Sequence, residues 1–226
     1  VEFYADQKFI NDNIAMPDAI FKNNFIGDSI VVFDRGLQTR KAFDDFTDKN
    51  ILFVGRIKTN TAYQNIKKRK AAKSSSNDSV ILIEDLEVLL SSEKQKSTKH
   101  SFRLCKYKIK KGGEDFWLLT NVFDATAYEI AALYKQRWHI ETYFKYLKQH
   151  LNLKHIVSRN ENAIRVMIYM TLILSILIIV FKKTNEIKGF KIAKIKFEIQ
   201  LDNLMIKEIV KLCGGNPNKA KYLWNT

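Results

Sequence analysis

The sequence predicts an α/β fold, and three stretches predict it. Ile30-Val-Val-Phe33 and Ile51-Leu-Phe-Val54 are short runs apolar on both faces, as strands buried in a sheet are. Between them lies the amphipathic segment Arg40–Lys49, so the opening reads strand–helix–strand. From Thr126 onward, helical periodicity and the uncharged run Val166–Phe181 replace strand patterns.

Taken in order, residues 1–10 read as one strand and Pro17–Asn23 as a short helix, with proline in its first turn. Asp34-Arg-Gly36 follows the first buried strand, and a strand end opening into a glycine turn is where open α/β sheets place chemistry. Asp34 equally suits a cap for the next helix. Strands resume at Val80–Ile83, Leu86–Leu90, Phe102–Ile109 and Phe116–Thr120, the last two joined by a glycine hairpin at Lys111-Gly-Gly-Glu114. Residues 56–120 are thus a mostly β insertion between residues 1–55 and a helical part, 121–226. Thr126-Ala-Tyr-Glu129 is a capping box, predicting one helix from there to about Leu151. A second helix is expected over Glu161–Lys183, buried on most sides, and a short one over Asn203–Leu212, stopped by Gly214-Gly215.

Composition narrows the partner. The 38 Lys and Arg outweigh 24 Asp and Glu, giving +14 and a pI near 9.6, which favours a polyanion. From Lys49 to Asn77 no acidic residue occurs, while Lys67, Lys68, Arg69 and Lys70 stand together. That run suits a DNA backbone, which rewards cations by counterion release, or is an expendable basic loop. Cys105 and Cys213 are far apart and His100, His139, His150 and His155 form no zinc pattern, so reduced thiols and a cytoplasmic protein are expected. Val166–Phe181 is shorter than the roughly 20 residues a spanning helix needs, and a core helix rather than a membrane partner is expected.

One helical face carries the chemistry. At about 100° per residue, Tyr134, Arg137, Glu141, Lys145 and Lys148 align, bordered by an apolar stripe of Leu133, Ile140, Phe144, Leu147 and Leu151. A solvated face laced with i, i+4 pairs has this charge pattern. So does a phosphate-handling face in which one carboxylate serves a hard divalent cation.

The spacing Tyr-x2-Arg-x3-Glu-x6-Lys, met by Tyr134, Arg137, Glu141 and Lys148, resembles the Y-R-E-K signature of DDE transposases of bacterial insertion sequences, the IS-four family. Trp138 after the arginine adds to the match. The resemblance implies a ribonuclease-H-like mixed sheet with flanking helices, interrupted by a β insertion. It implies phosphoryl transfer on DNA at insertion-sequence ends, with Mg2+ as cofactor and Mn2+ able to substitute. Asp34, in the family's Asp-x-Gly context, and Glu141 are then catalytic metal ligands. Tyr134, Arg137 and Lys148 bind the DNA backbone, with Lys145 beside them. Trp117 is either core or, as in some family members, a platform for an unpaired base. Family members often act as dimers, so a homodimer on DNA is a further expectation.

The family carries its first catalytic aspartate well ahead of the second. Asp6, Asp12 and Asp18 lack a strand-end context, so that carboxylate is expected upstream of Val1. The alternative is a basic DNA-binding module without catalysis.

Overall fold

The computed structural model describes residues 7–23, 29–69, 79–91, 97–110, 112–151, 153 and 160–217. The chain divides into two compact units, Val1–His139 and Ile140–Thr226.

The first unit is built on one six-stranded mixed sheet. Its strands are β1 (Ile30–Phe33), β2 (Leu52–Ile57), β3 (Tyr63–Lys68), β4 (Val80–Leu90), β5 (Phe102–Ile109) and β6 (Phe116–Thr120), in the order β1-β2-β6-β5-β4-β3. β1 runs parallel to β2, with Phe33 opposite Gly55, and the remaining pairings are antiparallel. One face is covered by α1 (Asp12–Lys22) and α2 (Arg40–Asp48). There Phe33 meets the fully buried Phe43, Phe46 and Phe53 at centroid distances of 5.7–6.3 Å, and the buried Phe102 joins the cluster through Phe43 and Phe53 at 6.2 and 5.9 Å. On the other face α3 (Ala127–Gln136) packs Ala127 and Ile130 against Val54, Cys105, Tyr107 and Leu118. Burial pushes the Cys105 thiol up to about 12, so it is an inert core group.

Several expectations hold to the residue: β1, β5, β6 and the capping box, where Thr126 Oγ1 accepts from Glu129 N at 3.2 Å and Glu129 Oε2 from Thr126 N at 2.6 Å. Others need correction. Gln7–Ile10 is a 3-10 turn, not strand; residues 1–6 lie outside the described residues. α1 starts at Asp12, because the Asn11 side chain accepts from Asn13 N at 3.0 Å, and Pro17 sits inside it. The two strands expected over 80–90 are one. Its interior carboxylates are tolerated because Glu84 meets Lys106 at 2.6 Å and Asp85 meets Arg103 at 2.7 Å, both on β5. β3, too polar to read as a strand, pairs with β4 at the sheet edge.

The helix expected over Thr126–Leu151 is two, α3 and α4 (Trp138–His150), interrupted at Arg137. The Arg137 N–H bonds back to Tyr134 O at 3.1 Å, a three-residue closure that tightens the turn. In the second unit α5 (Glu161–Thr184) and α6 (Phe190–Leu212) pack together, with Phe181 against Phe197 at 5.5 Å. α6 is a single long helix where a short one was expected, because α5 supports its first half. α5 is largely exposed, not buried on most sides: Met170, Ile173, Ile176 and Val180 all face outward. By length and hydropathy α5 suffices to cross a membrane, a test that core helices also pass.

Candidate active site

Asp34 is the first residue past β1, exposed, with its Oδ1 accepting from Gly36 N at 2.9 Å in a tight turn. Gly36 opens a small space: a Cβ there would lie 2.5 Å from Asp12 Oδ2 and 3.1 Å from Asp34 Oδ1. The Asp12 and Asp34 carboxylates thus both lie against Gly36, where a Cβ would crowd them; carboxylate oxygens are the donor type that Mg2+ prefers. The Asn13 side chain ties α1 to this turn, its Oδ1 accepting from Gln38 N at 2.7 Å and Thr39 Oγ1 at 2.8 Å. Among the described residues no group of three or more His, Cys, Asp and Glu side chains is placed to hold a metal ion.

Next in register on the neighbouring parallel strand is Arg56. Its guanidinium lies over the Phe116 ring at 5.7 Å, and its Nε is buried without a hydrogen bond. A buried donor left this way costs free energy that an anionic oxygen would recover. In the sequence Arg56 is one basic residue of the acid-free stretch Lys49–Asn77 and nothing local singles it out. The signal that could have found it is the parallel pair itself, with one strand ending in Asp-x-Gly and the other in Gly-Arg.

The signature residues divide at the interruption. Tyr134 is half-buried on α3, its ring stacked on Phe116 at 6.3 Å, and Arg137 lies over the Tyr134 ring at 5.6 Å. Around them is an aromatic cavity of about 450 Å3, lined by Arg56, Phe116, Tyr128, Tyr134, Lys135 and Trp138. Trp138, noted in the sequence only as a neighbour of the arginine, is 60% exposed there. On α4, in the second unit, Glu141, Lys145 and Lys148 are exposed and line one shallow cleft with Phe144. The apolar stripe expected beside them is only partly buried. Leu147 is enclosed, but Ile140 and Phe144 are open, because α4 packs through Tyr146 on Phe190 (4.5 Å) and Tyr143 on Ser175 (2.6 Å).

In the β-rich region, Lys67 and Lys68 are exposed on β3 and Arg69 follows them, half-buried; Lys70 lies outside the described residues. Trp117 is half-buried on β6 against the phenylalanine core, with Lys106 Nζ 4.5 Å over its ring and Tyr63 edge-on at 5.9 Å.

Residues 6–177 match the family described as Transposase DDE domain. The chain is 31% identical over 157 residues to a protein of Sinorhizobium fredii that carries transposase in its name (y4zB), covering 69% of this chain and 43% of that protein. It is 31% identical over 135 residues to one of Geobacillus stearothermophilus named as a transposase for insertion sequence element IS5377, covering 60% and 34%. A third, of Synechocystis and named for element IS4SA, is 36% identical over 90 residues, covering 35% and 27%. The chain thus spans less than half the length of these curated relatives. With three quarters of its length inside the family match, and the Asp-x-Gly turn and Y-R-E-K spacing within that span, the chain belongs to the transposase DDE domain family.

Proposed function

We propose that this chain is the catalytic region of an insertion-sequence transposase that cleaves and transfers DNA strands. The observation that carries the reading is the Y-R-E-K spacing inside the family match, with Glu141, Lys145 and Lys148 on one cleft of α4. Asp34 and Glu141 are the metal ligands. When bound, Mg2+ activates the attacking oxygen and stabilises the leaving one. Tyr134, Arg137 and Lys148 hold backbone phosphates, Lys145 assists, and Arg56 donates its buried Nε to a phosphate oxygen. Trp117 is available to a displaced base only if Lys106 moves off its ring.

The fold is read as ribonuclease-H-like, with residues 56–120 inserted into a core made of 1–55 and 121–226. The site of action is cytoplasmic DNA, and a homodimer on that DNA completes the reading. The test is Glu141→Gln in the full-length protein. Strand cleavage in Mg2+ is expected to fall by at least about 10²-fold, the scale for removing one electrostatic stabiliser, while duplex affinity persists. Unimpaired cleavage by the variant overturns the assignment. A wild type that binds DNA but never nicks it, under Mg2+ or Mn2+, leaves a basic DNA-binding module without catalysis.

A further inference from the structure

A second cationic site is built from residues outside the Y-R-E-K signature. Between β3 and the start of α3 is a cavity of about 540 Å3, lined by Lys67, Lys68, Arg69, Asp85, Arg103 and, among others, Asp124 and Thr126. Its floor is a buried ion cluster. Arg103 clasps Asp85 with two bonds, at 2.9 and 2.7 Å, and also donates to Ala125 O; Arg69 Nε stands 3.9 Å from the same carboxylate. Burial opposes the charge on Arg103, but the hydrogen-bonded Asp85 together with the neighbouring Cys105 and Tyr107 more than offsets it, and the guanidinium pKa is held above its ordinary value. One buried carboxylate thus serves two guanidinia, which leaves positive charge in a wall mostly removed from water.

Arg69 is held in place before any ligand arrives. Its Nη2 donates to Phe123 O at 2.9 Å and its guanidinium lies over the Phe123 ring at 5.5 Å, while about a third of the side chain stays open to the cavity. A fixed guanidinium fork loses little freedom when it takes an anionic oxygen. Lys67 and Lys68 sit exposed at the rim, so four cations face Asp85 and Asp124. The α3 end itself contributes little, because Glu129 N is already taken by Thr126 Oγ1.

We propose that this cavity binds consecutive backbone phosphates of DNA, one held by Arg69 and the others by Lys67 and Lys68, as a subsite made of residues outside the Y-R-E-K signature. The proposal rests on the DNA-directed reading above. The experiment is fluorescence anisotropy of the full chain with a labelled duplex across a salt series. Lys67→Gln/Lys68→Gln is compared with the control pair Lys191→Gln/Lys196→Gln, which removes equal charge from exposed α6 positions.

The rim pair is expected to lower the log–log salt slope by about 1.8, two contacts at roughly 0.9 each, with the control unchanged. Arg69→Lys keeps the charge but loses the fork, so it is expected to weaken binding several-fold at an unaltered slope. An unchanged slope in the rim pair, or equal losses in both pairs, overturns the proposal. So does an effect confined to phosphatidylglycerol vesicles, which would make the occupant a membrane surface. Failure of the wild type to bind duplex at low salt would instead sink the DNA reading itself.

Discussion

Asp34 and Arg56 illustrate what a single position gains from its place in a sheet. Each follows the last matched pair of a parallel ladder, Phe33 opposite Gly55; the Asp34 carboxylate folds back onto Gly36 N, while the Arg56 guanidinium lies over the Phe116 ring. Gly36 completes the arrangement through what it lacks. A Cβ at Gly36 would press on the Asp12 and Asp34 carboxylates, whose ends can swing away at small cost to the fold. Gly36→Ala is therefore expected to destabilise by less than about 1 kcal/mol in a thermal melt. A displacement near 1 Å at a reacting group can cost about 10²-fold in rate, so under the proposed function Mg2+-dependent cleavage by the full-length protein should fall far more than stability. Equal losses in both would mean that the Gly36 turn serves folding alone.

At the scale of the element, β1 and β2 depend on one close approach. The Phe33 ring lies across the Cα of Gly55, where any added Cβ would overlap it, and the same ring stacks on Phe53 at 5.7 Å. Gly55→Val should force Phe33 off its neighbours and cost about 1–3 kcal/mol, measurable by denaturant unfolding. A variant as stable as the wild type would show that the ring relocates freely. The interruption of the signature helix belongs to this scale too. Tyr134 and Arg137 are held by α3 and its Phe116 contact, whereas Glu141, Lys145 and Lys148 ride on α4. One periodic pattern in sequence thus serves two helices, since a turn closing over three residues barely disturbs the 3.6-residue phase.

For the whole molecule, two properties govern behaviour in solution. A net charge of +14 favours polyanions and makes association with them salt-sensitive. The second unit leaves Ile173, Ile176, Val180, Ile199, Leu204 and Ile209 exposed along α5 and α6. Apolar exposure of this extent promotes association, so sedimentation velocity of the isolated chain at high salt should show mass rising with concentration. A monomer across the whole range would contradict that expectation.

Sequence alone determined the parts whose physics is local. Ile30–Phe33, Phe102–Ile109 and Phe116–Thr120 were legible because apolar runs and turn residues encode strands directly, and Thr126 with Glu129 because a capping box is a four-residue contact. The family was legible because four residue types at fixed spacing survive in the linear text. Tertiary structure alone decided the rest. β3 is a strand through pairing with β4, since its own polar residues would not select one. Glu84 and Asp85 lie inside β4 because Lys106 and Arg103 stand opposite them, partners from another strand. Arg56, the Asp12 and Asp34 pair against Gly36 and the Asp85 ion cluster all join residues distant in the chain, and no local pattern announces such a meeting.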